Sequence, residues 1–268
     1  MECGGIRYEG DESTQEYETV RSMVVEFTKT KYGFLKVHEI WFNQDKNFRP
    51  KPGFHVYFLK QSVKLKNPQY VLSEIPFHTV VLDLSKPLEE IWRGFSKKST
   101  RYEINKAKKL GDKLTIKNNE NIHEFLEICR KYWQLKYGER PKWGLEIFTK
   151  NTRLFTIYHE DEIVGGLLFI EDIPNRVRLF KSCSRYLESE NMKKLSGALM
   201  RYLHWYCIRY YKELGARIYD LGGINLDKSS PTYNITKYKL SFGGEIVTEY
   251  DYILVRNRAL RAIVKLKT

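Results

Sequence analysis

The chain has 268 residues, enough to bury a sizeable core as one large domain or two modest lobes. An apolar content of 42%, with 19 tyrosines and 14 phenylalanines, excludes a disordered chain, and no apolar run is long enough to cross a membrane. The net charge of +13 points to an anionic partner, which could be RNA, a nucleoside diphosphate or an anionic membrane surface, against the plainer reading of lysines on solvated faces.

Six histidines and four cysteines (Cys3, Cys129, Cys183, Cys207) are scattered without metal-ligand or disulfide spacing. No metal or disulfide framework is therefore expected, and no cofactor is called. The N-terminus lacks the basic-then-apolar order of a secretory signal, so a cytoplasmic location is the expectation.

In chain order, residues 1–20 are acidic and aperiodic and read as a mobile arm. Residues 21–110 read as an N-terminal lobe carrying a basic helix, and residues 111–268 as a C-terminal domain. Short apolar stretches broken by Pro and Gly predict strands up to about residue 85. Ser85 offers a helix cap and Pro87 a first turn, with Leu88, Ile91, Trp92 and Phe95 at helical spacing. That helix continues or restarts through Lys109 and stops at Gly111. From Arg93 to Lys117 nine basic residues face only Glu103 and Asp112. A strand over 113–117 follows, then a helix capped by Asn121 with Phe125, Leu126 and Cys129 on one face.

The second half has sharper signals. Leu154–Tyr158 and Ile163–Ile170 flank a polar turn and predict a hairpin, and Val177–Cys183 adds a third strand. A long helix is expected from about Met192 to Leu214, closed by Gly215. A strand over 218–221, a short helix near 234–240 and a strand over 245–255 complete an α/β (α+β) order with a mixed, largely antiparallel sheet flanked by helices.

Two glycine pairs lie close together here: Asp220-Leu221-Gly222-Gly223, and Tyr238-Lys239 followed by Phe242-Gly243-Gly244. Ordinary packing does not ask for two tight turns with a lysine between them, and a site is expected at this point.

Taken with Lys98–Gly111 and with Gly165-Gly166-Leu167-Leu168-Phe169 leading to Phe180–Ser184, these turns resemble the FemABX aminoacyltransferases, a branch of the GNAT superfamily. The resemblance covers roughly residues 80–250. It implies a GNAT-like sheet, as one body or two lobes, and transfer of an aminoacyl group from aminoacyl-tRNA to an amine of a cell-envelope precursor such as a peptidoglycan intermediate. The inserted helical-hairpin arm of several family members is absent. The glutamine- or arginine-initiated glycine loop by which acetyl-CoA-dependent relatives hold pyrophosphate is missing from Asn191–Ala198.

The family position makes Lys239 the first choice to stabilise a tetrahedral oxyanion or an acceptor phosphate. Asp220 is expected to orient the amine or accept its proton, or else to cap a turn. Gly222 and Gly223 are candidates to bring backbone N–H groups to substrate, or are plain turn residues. Arg101 and Lys98 suit a diphosphate. Arg185, Tyr186, Asn225, Tyr233 and Tyr238 complete the candidate substrate contacts. The acceptor is expected to be nucleotide- or lipid-linked, with peripheral contact to an anionic membrane among the partner classes. Two alternatives stay open: an acyl-CoA- or carrier-dependent N-acyltransferase acting on a sugar or antibiotic, and a non-catalytic RNA-binding module.

Overall fold

The computed structural model describes residues 25–31 and 35–265, so the acidic arm read over 1–20 lies outside the described residues. Ten strands run in chain order as β1 (Val25–Lys31), β2 (Leu35–Trp41), β3 (Val56–Ser62), β4 (Val71–Asp83), β5 (Leu114–Asn118), β6 (Thr152–His159), β7 (Glu162–Asp172), β8 (Arg176–Ser184), β9 (Ile218–Gly223) and β10 (Glu245–Val255). The helices are α1 (Leu88–Gly94), α2 (Tyr102–Lys108), α3 (Ile122–Tyr137), α4 (Glu190–Glu213), α5 (Tyr233–Leu240) and α6 (Arg258–Lys265).

All ten strands join one sheet in the order β1-β2-β3-β10-β4-β9-β8-β7-β6-β5. Only the β2–β3 and β8–β9 pairs are parallel. β10 lies between β3 and β4, and β4 pairs with β9, so strands from either side of residue 110 alternate in that sheet.

The larger core packs α1, α2 and α4 on one face of β4 and β6–β9, with Ile104, Leu199, Leu203, Ile208 and Tyr211 buried. α3 covers the other face through Phe125 and Cys129 against Leu154, Leu168 and Cys183. Covered on both sides, β7 is buried without interruption from Val164 to Ile170, the apolar run of a central strand rather than an alternating one. The hairpin, the third strand and the final α-β-α-β order appear as the hydrophobic pattern predicts.

Local differences have tertiary causes. Ser85 does not cap α1; its hydroxyl donates to Asp83 Oδ1 at 2.6 Å, and Pro87 holds the cap position. The helical run breaks at Phe95, which is extended and buried against Trp205 and Phe242. It restarts in a π turn over Lys97–Arg101, tied to the end of α5 by Thr100 Oγ1 donating to Ser241 O at 2.9 Å. Asn121 takes a left-handed backbone before α3 and donates its amide to the Tyr158 hydroxyl instead of capping. α4 starts at Glu190, with Ser189 Oγ accepting from Met192 N, and Gly215 closes it at φ +79°.

Candidate functional site

β8 and β9 pair in parallel at only three positions: Arg176 with Ile218, Val177 with Tyr219 and Arg178 with Asp220. The pairing ends at Arg178 and Asp220, while β8 runs on to Ser184 and β9 to Gly223. The carboxyl ends of parallel strands are where α/β sheets place ligands.

Asp220 sits at the fork with no exposed surface. Its carboxylate accepts from Arg176 Nη2 (2.5 Å) and Nε (3.1 Å), Gln61 Nε2 (2.9 Å), its own turn's Gly222 N (2.7 Å) and Thr79 Oγ1. Burial alone would raise its pKa, but Arg176, then Arg178, Thr79 and Gln61 outweigh that and hold it below the usual carboxylate range. An ionised carboxylate this saturated with donors is a poor proton acceptor. In the structure Asp220 pairs with Arg176 and, through Gly222 N, caps its own turn, the alternative that the sequence also offered. Arg176 also bonds Glu249 through Nη1 at 2.5 Å. Arg178 is nearly enclosed, with its guanidinium 4.8 Å from the Trp41 ring and 5.5 Å from the Phe77 ring. Its Nε has no partner, and burial pushes its pKa down.

Lys239 reaches the fork from α5 and donates from Nζ to Gly223 O at 2.7 Å. Burial first, then the neighbouring Arg178, pushes its pKa down to about 8, against the pull of Asp220. Gly222 has φ +79°, and a Cβ there would lie 2.9 Å from Leu179 O and 3.4 Å from Lys239 Nζ. Only glycine lets β9 pass so close to β8 and the lysine. Asp220, Gly222, Gly223 and Lys239 are thus brought together, and the glycine pair belongs to the strand end rather than to the loop beyond it.

One residue along α5, Tyr238 lines a cavity of about 540 Å³ between α3, the end of β8, α4 and α5. Its wall includes Tyr132, Lys136, Tyr186, Ser196, Arg201 and Tyr238, and no carboxylate. Ser196 Oγ and Arg201 Nε are buried behind this wall without a hydrogen-bond partner, while Arg201 Nη1 donates to Gly197 O at 2.9 Å. Arg201 stacks 4.6 Å over the Tyr238 ring, whose phenol burial pushes up to about 12. Below it, His204 is buried and held neutral, its pKa pushed down to about 3 by burial, Lys239 and Arg201. Its Nδ1 meets the Tyr219 hydroxyl at 2.7 Å.

No protein-family model matches the sequence, and no curated protein matches it. Among solved structures, the chain superposes on FemX with a TM-score of 0.58 at 11% identity, over 90% of this chain and 86% of that one. It also superposes on the C-terminal domain of a putative lysylphosphatidylglycerol synthetase from Agrobacterium fabrum, with a TM-score of 0.51 at 11% identity, over 91% and 83% of the two chains. The fold is that of FemX. This likeness to a Fem-type structure is the one that the sequence resemblance implies.

Within the FemX-like fold the other expected residues lie apart from the fork. Tyr186 reaches the cavity, but Arg185 turns away to Glu162 (2.6 Å) and Glu188 (2.9 Å). Lys98 is exposed and Arg101 half-buried on the π turn. Asn225 makes a local turn, accepting from Asp227 N at 2.9 Å, and Tyr233 opens α5 under Lys237. Sequence reasoning missed Arg176, Arg178, Ser196 and Arg201. A signal existed for the first pair: two arginines at i and i+2 in an apolar strand share one face and must find anions.

Proposed function

We propose that the protein is a Fem-like N-acyltransferase that moves an aminoacyl group from charged tRNA to an amine of a cell-envelope precursor or similar small acceptor. The observation that carries this reading is the acid-free, tyrosine- and cation-lined cavity walled by Tyr238, the neighbour of Lys239 on α5. Such a lining suits an anionic, ring-bearing donor such as an RNA end, since bases stack on tyrosines and phosphates meet Lys136 and Arg201. The names of the two solved relatives, FemX and a lysylphosphatidylglycerol synthetase, agree with aminoacyl chemistry.

In the proposed reaction the acceptor amine attacks the ester carbonyl, forming the C–N bond. The tetrahedral oxyanion then collapses, the ester C–O bond breaks, and the proton lost by nitrogen ends on the departing ribose oxygen. The Lys239 ammonium faces the oxyanion, where a fixed positive charge in a water-poor site lowers the barrier. Arg176, held between Asp220 and Glu249, fixes the Asp220 turn beside Lys239. Lys98 and Arg101 lie on a ridge suited to the tRNA or acceptor phosphates, outside the fork. Arg185, Asn225 and Tyr233 are engaged locally and take no part in this reading. A cytoplasmic location goes with a tRNA donor.

The test is release of radiolabelled amino acids from total charged tRNA. Release that requires both the protein and an extract supplying amine acceptors supports the proposal. Folded protein that releases nothing from any charged pool defeats it.

A further inference from the structure

α5 carries Lys239, yet little holds that helix in place. Of its eight residues only Thr236 is buried, while Tyr238 and Leu240 pack on the core from half-buried positions. Thr236 Oγ1 donates to Asn225 O at 2.8 Å, and Thr100 reaches Ser241 just past the helix end. A short helix with so few buried contacts takes its position from each of them.

One further contact comes from His204 on α4. Its ring lies 6.1 Å from Tyr238 and 5.1 Å from Phe242, the residues one before and three after Lys239. Its Nδ1 meets the Tyr219 hydroxyl at 2.7 Å, and Tyr219 directly precedes Asp220 on β9. A single side chain thus touches both elements that carry the candidate chemistry, the helix of Lys239 and the strand of Asp220.

His204 and Tyr219 are both enclosed, at 1% and 0% exposure. An apolar pair would fill the same space without the desolvation penalty of an imidazole and a phenol. A buried polar bond is directional where an apolar contact is not, so it fixes one arrangement of the elements it joins. The charged groups facing the ring are Lys239 from α5 and Arg201 from its own helix, and with burial they hold the imidazole neutral. It therefore adds no charge to the site.

We infer that His204 is a positioning residue for Lys239: through Tyr219 on one side, and Tyr238 with Phe242 on the other, it holds α5 in register with the Asp220 turn. The seat of the helix stands on these contacts; only its bearing on transfer rests on the proposed function.

The experiment follows the Lys239 ammonium by NMR in the full chain, isotopically labelled at lysine, with Lys239→Arg assigning the signal. At pH 8 about half of Lys239 is expected to be charged in the wild type. His204→Phe keeps a ring and loses the bond, and Tyr219→Phe loses it from the other side. In each, α5 loosens, water reaches the ammonium, and the charged fraction at pH 8 climbs to about three-quarters or more. The double variant climbs no further than either single one, because both remove the same bond. Leu203→Val, a core change beside His204 that leaves the bond intact, keeps the wild-type fraction. Under single-turnover conditions the two phenylalanine variants release amino acid about tenfold more slowly, with affinity for charged tRNA unchanged.

A charged fraction still near one half in both single variants, at the wild-type melting temperature, overturns the inference. So do effects that add in the double variant, or an equal climb from Leu203→Val, which report loosened packing alone. Tyr219→Phe removes one oxygen atom and decides the matter where His204→Phe does not fold. The NMR titration involves no transfer step, so a failed transfer assay and a failed positioning role are separate results.

Discussion

Lys239 on α5 and Gly223 at the end of β9 are joined by a 2.7 Å bond from the ammonium to the carbonyl. That bond fixes the lysine beside the end of the β8–β9 pairing, with a pKa of about 8. If its ammonium stabilises the oxyanion, transfer holds below pH 8 and falls as pH rises through about 8. Lys239→Arg, charged throughout, retains part of the activity and loses this limb. A pH–rate profile under single-turnover conditions checks both; a rate that rises through pH 8 would make the neutral amine the active form.

Asp220 neutralises arginines that are themselves largely buried. Asp220→Asn keeps the shape but leaves Arg176 with Glu249 alone and takes from Arg178 its nearest carboxylate. Breaking a buried pair in this way costs about 3–5 kcal/mol. Urea denaturation measures it, and a loss under about 1 kcal/mol would mean that water or anions reach the fork.

Asp172 behaves in the opposite sense. Burial pushes its carboxyl up to about 6, above the ordinary value near 4, and its Oδ1 has no hydrogen-bond partner. Because the folded state holds the proton more tightly, stability falls as pH rises from about 4 through about 6 and is flat beyond. Asp172→Asn removes that slope and stabilises the protein at pH 7 by up to about 3 kcal/mol, with no gain below pH 4. Chemical denaturation at the two pH values reads the difference.

Gly243 has φ +73°, and a Cβ there would fall 2.1 Å from Gly94 O. Backbone cannot swing aside as a side chain can, so Gly243→Ala forces α1 and the end of α5 apart. The positive φ alone costs about 1–2 kcal/mol, and the clash adds to it. A fall in melting temperature of several degrees is expected, whereas Gly53→Ala, in open space, tests the backbone strain alone.

The later elements were legible because their signals are local. The hairpin is announced by its polar turn, the end of α4 by Gly215, and the fork by glycines that no other residue can replace. The break at Phe95 was not legible, because it follows from burial against Trp205 and Phe242, residues more than a hundred positions away. Asp220 and Lys239 could be marked as a site from sequence, but their roles could not. Asp220 has a carboxylate's usual chemistry until Arg176, Thr79 and Gln61 close on it from three other strands. Ser196 and Arg201 look like ordinary residues of an amphipathic helix, and only the tertiary structure places them in the cavity wall, with Arg201 over the Tyr238 ring.

The central claim is that Lys239 acts on the transferred group rather than supporting the fold. Lys239→Met keeps the length of the side chain and removes the charge. Its rate of amino-acid release from charged tRNA, compared with wild type at equal melting temperature, is the direct measurement. The account predicts a loss of about a hundredfold or more with the fold intact. Release within about threefold of wild type would contradict it and return the lysine to a packing role.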